Sequence, residues 1–499
     1  MYNLVVLPLL IPVLCGLLMG IFRKSIAFQK CLSLLSLLLT GAAAFYLVQQ
    51  VSARGIQILE LGGWQAPFGI VLVVDMLAAL LLAAASLVSI ACLLFAFKSI
   101  GPEREKYYFY PFLQFLIAGV NGCFLTGDLF NLYVCFEVML VASYVLLSLG
   151  GSKPQLSEGI KYVVINVISS TLFLIAIGYL YGVLGTLNMA HLSLRIAAIG
   201  QTGLVSVIAI LLLIVFSLKA ALFLYFWLPG AYGALPPAIA TIFAALLTKV
   251  GIYAIMRMFS LVFYHQPQIT HDLLAVMAVL TMLIGGIGAV VHGDIRNIAA
   301  YNVVIGVGFV VFGWTVFTPA AVTGAIYYLI HDMLMKALLF MLVGTIIIIV
   351  GSSKLRDMSG MITHHPLLGW LFLISALALT GIPPLSGFVG KYLIIQEGLT
   401  RGAVHTGYYI GVAVGLLSTL MILYSLIKIF VRGFWGETTL SPDMEKGNTR
   451  GLILPCILLT AAGVFWGGGA ELIYPYVEMA AASLLDPAIY IGAVLGEVI

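Results

Sequence analysis

Stretches of roughly twenty consecutive apolar residues recur along the whole chain, and that repetition leaves few folds open. A helix needs about 20 apolar residues to cross the hydrocarbon of a bilayer. On that measure spans fall near 3–21, 28–49, 72–97, 108–125, 128–149, 159–185, 203–228, 237–262, 271–291, 297–317, 322–350, 367–397, 406–431 and 451–470, fourteen in all. With 63% hydrophobic and 8% charged residues in 499, a water-soluble core is excluded. The alternating polar/apolar period of a membrane β-barrel is missing as well. The expected fold is an all-α polytopic membrane protein. The tail 471–499, interrupted by Pro475 and Pro487, is expected to lie along the surface or form a partial span.

Lysine and arginine placement gives an expected orientation. One set of alternating loops and flanks holds Arg23, Lys24, Lys30, Lys98, Arg104, Lys106, Lys153, Lys161, Arg296, Lys354, Arg356, Lys428, Arg432, Lys446 and Arg450. The other holds only Arg54, Arg195, Arg257 and Arg401. Cytoplasmic loops carry the excess of basic residues, so the first set is expected inside and both termini outside. The apolar run opening at Met1-Tyr2-Asn3 has no basic segment before it and reads as an uncleaved first span. No basic patch with interleaved aromatics supports nucleic-acid binding. The six cysteines stand singly in apolar runs, without metal-ligand spacing, and read as small buried hydrophobes.

Four basic residues are left over, and they carry the functional argument. Lys219, Lys249, Lys336 and Lys391 lie inside predicted spans, too deep for their ammonium groups to snorkel to the surface. Each such charge costs about 2.5–3.5 kcal/mol on insertion scales, so intramembrane lysines face an internal cavity and act there. Glu137 is the one acid equally deep in a span. Paired with Lys219 it would keep the ammonium charged; when the pair loosens, the uncompensated charge becomes costly and the proton can leave. A purely structural ion pair is the alternative, although such pairs add little net stability. Lys219 and Lys249 then read as consecutive proton stations.

A third group is His331-Asp332-Met333-Leu334-Met335-Lys336. Asp332 and Lys336, at i and i+4, suit an intrahelical ion pair. His331, one position off that face, suits a proton relay because imidazole exchanges protons near neutral pH. Asp75 and Asp128 sit at span starts and read equally well as helix-terminal acids. His265, His271, His364, His365 and His405 read as loop histidines. Helix-breaking residues stand near two of the lysines: Pro229-Gly230 after Lys219, and Gly381-Ile382-Pro383-Pro384 with Gly387 before Lys391. Interrupted spans in corresponding halves suggest internal repeats with the ion site between them, and a break frees carbonyls to hold water or a cation. No phosphate loop, dinucleotide turn, axial histidine pair or cysteine cluster is present, so no cofactor and no resident metal are expected. The energy for transport then comes from an ion gradient or a partner protein.

The ordered set of Glu137, Lys219, Lys249, the His331-to-Lys336 block with Ala337-Leu338-Leu339-Phe340, and Gly381-Ile382-Pro383-Pro384-Leu385-Ser386-Gly387-Phe388-x-x-Lys391 resembles the antiporter-like proton-translocating subunits. These are shared by respiratory complex I, membrane-bound hydrogenases and the multisubunit Mrp-type cation/proton antiporters. The resemblance runs from Asp75 to about Trp435. Within it, Gly127-Asp128-Leu129-Phe130-Asn131-Leu132-Tyr133-Val134 and Lys219-Ala220-Ala221-Leu222-Phe223-Leu224-Tyr225-Phe226-Trp227-Leu228-Pro229-Gly230 are most similar to the D subunits of the Mrp type. The second stretch departs from complex I, where Pro and His stand in place of residues in the Leu224–Phe226 interval.

The resemblance implies about fourteen helices in two inverted five-helix repeats. Here these would be 108–262 and 271–431, after an N-terminal segment 1–107 and before a C-terminal helix and tail 432–499. It also implies a hydrated mid-membrane axis, partner subunits in a hetero-oligomeric complex at a bacterial plasma membrane, and protons as cargo, with passage of sodium through this chain or a companion left open. Two rivals share these residues. One is a proton-pumping subunit of a complex I-like oxidoreductase or hydrogenase; the other is a passive channel or scaffold, insensitive to neutralising the lysines.

Overall fold

A computed structural model of the chain describes residues 2–201, 203–438 and 449–496. It is helical nearly throughout. After a 3-10 turn, α1 covers Leu7–Ile21 and α2 Ile26–Arg54, followed by α3 Met76–Ser99, α4 Pro102–Lys106, α5 Phe109–Leu125, α6 Leu129–Ser148 and α7 Lys153–Leu184. Then come α8 Met189–Ile199, α9 Leu204–Ala220, α10 Leu228–Ala234, α11 Pro237–Ile242, a π turn Phe243–Leu247 and α12 Thr248–Leu261. The second half holds α13 Pro267–Val291, α14 Ile295–Thr315, α15 Pro319–Val350, α16 Pro366–Thr380, α17 Gly387–Gly402 and α18 Gly407–Phe434. The chain closes with α19 Arg450–Gly468, α20 Ala470–Leu485 and α21 Pro487–Leu495. Among the described residues eleven helices are long and apolar enough to cross a membrane, or twelve if the bent pair α20–α21 counts as one. Each predicted span carries a helix; those at Phe109–Leu125, Leu204–Ala220 and Pro366–Thr380 are shorter.

Two stretches differ from the sequence reading, and a third breaks where Gly381 and the prolines foretell. Residues 71–74, expected to open a span, form a β-strand antiparallel to Gln57–Glu60. That hairpin laces one end of the molecule together: Gly127 donates to the Val71 carbonyl and Met189 to the Gly127 carbonyl. The span expected to run from 203 to 228 stops at Ala220. Ala221 and Phe223 both take positive φ (59° and 60°), and the freed Phe223 N–H donates to Thr281 Oγ1 at 2.7 Å. The span expected over 367–397 stops at Thr380, where Gly381 at φ 88° ends the helix without the penalty a Cβ would bring. It resumes at Gly387. The tail folds as two helices, α20 and α21, that meet at 82°.

Burial separates lipid-facing from central helices. The best window of Pro237–Leu261 is wholly buried, and those of α14 and α15 are 94% and 89% buried. In contrast α1, α2, α7 and α18 keep most of theirs exposed, with leucines and aromatics outward, as a bilayer-facing surface requires. The central helices carry two of the lysines and the Asp332 carboxylate between them.

Lys446 lies outside the described residues. Arg257, grouped with the outer loop charges in the sequence reading, sits inside α12, buried and paired with Asp75. His271, expected in a loop, lies in α13, buried against Trp314 with ring centroids 4.8 Å apart. His365 is also buried, just before α16. For Arg257 and His271 the partner comes from another helix, which local sequence does not reveal.

Candidate proton-relay site

All four lysines face protein, not lipid. Lys249 and Lys336 are fully buried, Lys219 and Lys391 nearly so, and His331 has no exposed surface. A buried charge persists only where dipoles or counterions replace water, and each lysine meets this need differently.

Lys219 stands in the last turn of α9. Its Nζ donates to Ser170 Oγ of α7 at 3.2 Å, and that hydroxyl in turn donates to Glu137 Oε1 of α6 in a short hydrogen bond. The carboxylate therefore reaches the ammonium through a serine that sequence reasoning does not single out. Ser170 is one of many hydroxyls in apolar helices, and nothing local marks it. The Phe136 ring, 4.9 Å from Nζ, adds a cation–π contact. Glu137 is half-buried; its outer side lines an apolar groove of about 380 Å3 with Phe112, Phe115, Tyr133 and Val134.

Lys249 opens α12 just beyond the π turn. A turn of this kind loosens the regular i→i−4 bonding, and Lys249 Nζ donates to the Ala244 carbonyl at 2.8 Å. The same ammonium pairs with Asp332 Oδ2 of α15 at 2.8 Å. Asp332 Oδ1 lies 3.4 Å from Lys336 Nζ, one turn further along α15. The i,i+4 pair expected from sequence is present, and it is half of a three-membered group: one carboxylate shared by two lysines from different helices. Asp332 therefore carries more of the site than its own helix suggests. Gly251 brings the first and second lysines' helices together, since a methyl there would lie 2.6 Å from the Ala220 Cα.

His331 and Lys391 form the third group, around the second helix break. His331 Nδ1 is 2.7 Å from Ser386 Oγ, in the break itself. Lys391 Nζ donates to the Leu379 and Thr380 carbonyls at 3.0 Å each and to Thr419 Oγ1 at 3.2 Å. Those carbonyls close the last turn of α16, where helical carbonyls have no intrahelical donor. Phe309 and Tyr328 flank the ammonium at 5.2 and 5.5 Å. Lys391 has no carboxylate within ion-pair distance among the described residues.

Asp75 and Asp128 accept backbone N–H bonds at the starts of α3 and α6, as helix-terminal acids do. Among the described residues no group of three His, Cys, Asp or Glu is placed to hold a metal ion. Three groups of side chains with exchangeable protons thus lie on α6–α7–α9, α12–α15 and α15–α17, the lysines of each buried within the bundle.

Comparison with known proteins identifies the family. Residues 126–429 match the family described as NADH:quinone oxidoreductase/Mrp antiporter, TM. The D subunit of the Na(+)/H(+) antiporter of Bacillus subtilis (strain 168) is 48% identical over 498 residues, covering 100% of both chains. A chain of the Mrp complex from Dietzia sp. DQ12-45-1b superposes with a TM-score of 0.91 at 30% identity, over 99% of this chain and 100% of that one. A chain of the membrane-bound sulfane sulfur reductase, an archaeal respiratory membrane complex, gives 0.90 at 26% identity, with 99% and 100% covered. The buried lysines, the shared carboxylate and the two helix breaks thus sit in a chain that belongs to the NADH:quinone oxidoreductase/Mrp antiporter transmembrane family.

Proposed function

We propose that this chain is the proton-translocating subunit of a multisubunit Na+/H+ antiporter, a secondary transporter component and not an enzyme. The full-length similarity to a protein named for that activity supports the antiporter assignment. The observation that carries the mechanism is Asp332 shared between Lys249 and Lys336. One anion between two ammonium groups leaves a surplus positive charge, and that surplus is relieved whenever either lysine passes its proton on. Glu137 sets the charge of Lys219 through Ser170. Lys219, Lys249, Lys336, His331 and Lys391 are then successive stations.

The division into 1–107, repeats 108–262 and 271–431, and 432–499 belongs to the same reading, supported by the two breaks near Lys219 and Lys391. So do partner subunits, a bacterial plasma membrane and both termini outside, the last resting on the asymmetry of Lys and Arg. The test is antiport in everted vesicles carrying the complete complex. Glu137→Ala or Lys219→Ala is expected to abolish exchange while the complex still assembles; wild-type rates in either variant remove the basis of the reading. Likeness to the sulfane sulfur reductase chain keeps an oxidoreductase component as the second reading. Co-purification with iron–sulfur proteins would select it.

A further inference from the structure

Helix α12 carries a buried polar row that runs on from the relay's Lys249 through two residues the relay does not use. Lys249, Tyr253 and Arg257 succeed one another at four-residue spacing, so they share one face and lead from the central lysine to the end of the helix. All three are buried. Tyr253 donates to the Phe124 carbonyl at 3.0 Å, and Arg257 Nε lies 3.4 Å from the Tyr253 hydroxyl. Arg257 Nη2 then closes on Asp75 Oδ2 at 2.5 Å, where Ser483 also donates at 3.4 Å. The guanidinium lies over the rings of Tyr253 and Tyr490, at 5.4 and 5.0 Å. Ser483 and Tyr490 belong to α20 and α21, the pair bent by 82°. Tyr490 is buried with its hydroxyl unpartnered among the described residues.

A face lined by an amine, a phenol and a carboxylate is a route along which protons could escape from Lys249 to the surface. An arginine does not give up its proton under ordinary conditions, so it cannot serve as a station. What a fixed positive charge does in a narrow polar passage is repel other cations, protons included. We propose that the Arg257–Asp75 pair, roofed by Ser483 and Tyr490, is an electrostatic plug. It closes this end of the α12 row and confines protons to the sideways relay. A structural ion pair alone is the weaker account, because apolar packing holds helices as well as a buried pair does and gives no reason for the row to continue the Lys249 face. The bent tail, outside the motifs that led to the relay, thereby acquires a role as the plug's cover.

The inference rests on the proposed antiport, and its test separates the two. Complete complexes in sealed vesicles are assayed for sodium-driven exchange and, without sodium, for decay of an imposed proton gradient, each expressed per assembled complex. The double variant Asp75→Asn with Arg257→Gln removes both charges and leaves neither buried alone. It is expected to leak protons about tenfold or more faster than the parent, the order of barrier a nearby fixed charge provides inside a protein. Asp75→Glu keeps both charges and the arginine and is expected to stay tight. A double variant as tight as the parent, or a leak of equal size in Asp75→Glu, overturns the plug. Absence of sodium-driven exchange in the parent overturns the antiport reading instead.

Discussion

The two broken helices solve the same problem in opposite ways. At the first break the chain spends no glycine or proline: Ala221 and Phe223 are forced to positive φ, and Lys219 is satisfied by side chains, Ser170 and behind it Glu137. At the second, Gly381 and the prolines end the helix, and Lys391 is satisfied by the carbonyls so released. The difference lies in charge. A proton leaving Lys219 uncovers a carboxylate two hydrogen bonds away; a proton leaving Lys391 leaves a neutral, dipole-lined pocket. In the proposed relay the first site holds its proton against an anion whose outer side meets a groove. The second is set mainly by its own backbone, with Thr419 the one side-chain hydroxyl.

Variants can break or sharpen that contrast. The largest effect is expected between the two breaks, at the carboxylate that serves both halves. Asp332→Asn leaves two ammonium groups buried without their anion, a change on the order of 3–5 kcal/mol. It should lower the thermal midpoint of the purified complex and abolish exchange; an unchanged midpoint would show that the lysines are compensated elsewhere. Next comes Ser170→Ala, which cuts the link from Glu137 to Lys219. Losing a hydrogen bond to charged groups is worth about 1.5–3 kcal/mol, so exchange is expected to fall about tenfold or more with assembly intact. Retained exchange would mean that Glu137 reaches Lys219 without the serine.

The smaller effects have opposite signs at the two breaks. Gly381→Ala places a Cβ in the left-handed region at a cost of roughly 1–2 kcal/mol. Ala221→Gly relieves that same strain, so a gain of up to about 1 kcal/mol is expected, reduced by the freedom glycine adds to the unfolded chain. Thermal midpoints moving in the same direction for both would mean that the first break is held by something other than its local conformation.

How much of this is legible in the sequence follows from the range of each interaction. The second break announces itself in Gly381-Ile382-Pro383-Pro384, because those residues act on their own backbone. The first is foreshadowed only by Pro229-Gly230, and its actual position depends on Thr281, fifty-eight residues away from the N–H it accepts. The lysines stand out because charge is rare in apolar runs. Ser170 does not, since a hydroxyl is cheap there and common. Asp332 is visible but reads as serving Lys336 alone, because its tighter partner, Lys249, comes from another helix. Arg257 and His271 read as loop residues for the same reason.

The π turn at Phe243–Leu247 carries a last consequence. It winds one additional residue into an otherwise regular rod, so everything beyond it is rotated by one residue's worth, about 100°. Winding the same residues as a regular α-helix would leave the composition untouched and the hydrophobic length of the rod almost so. It would nevertheless swing Lys249 out of line with Asp332 and carry Tyr253 and Arg257 with it. Phase, set by a local miscount in the winding, is what aims this helix's charged groups inward.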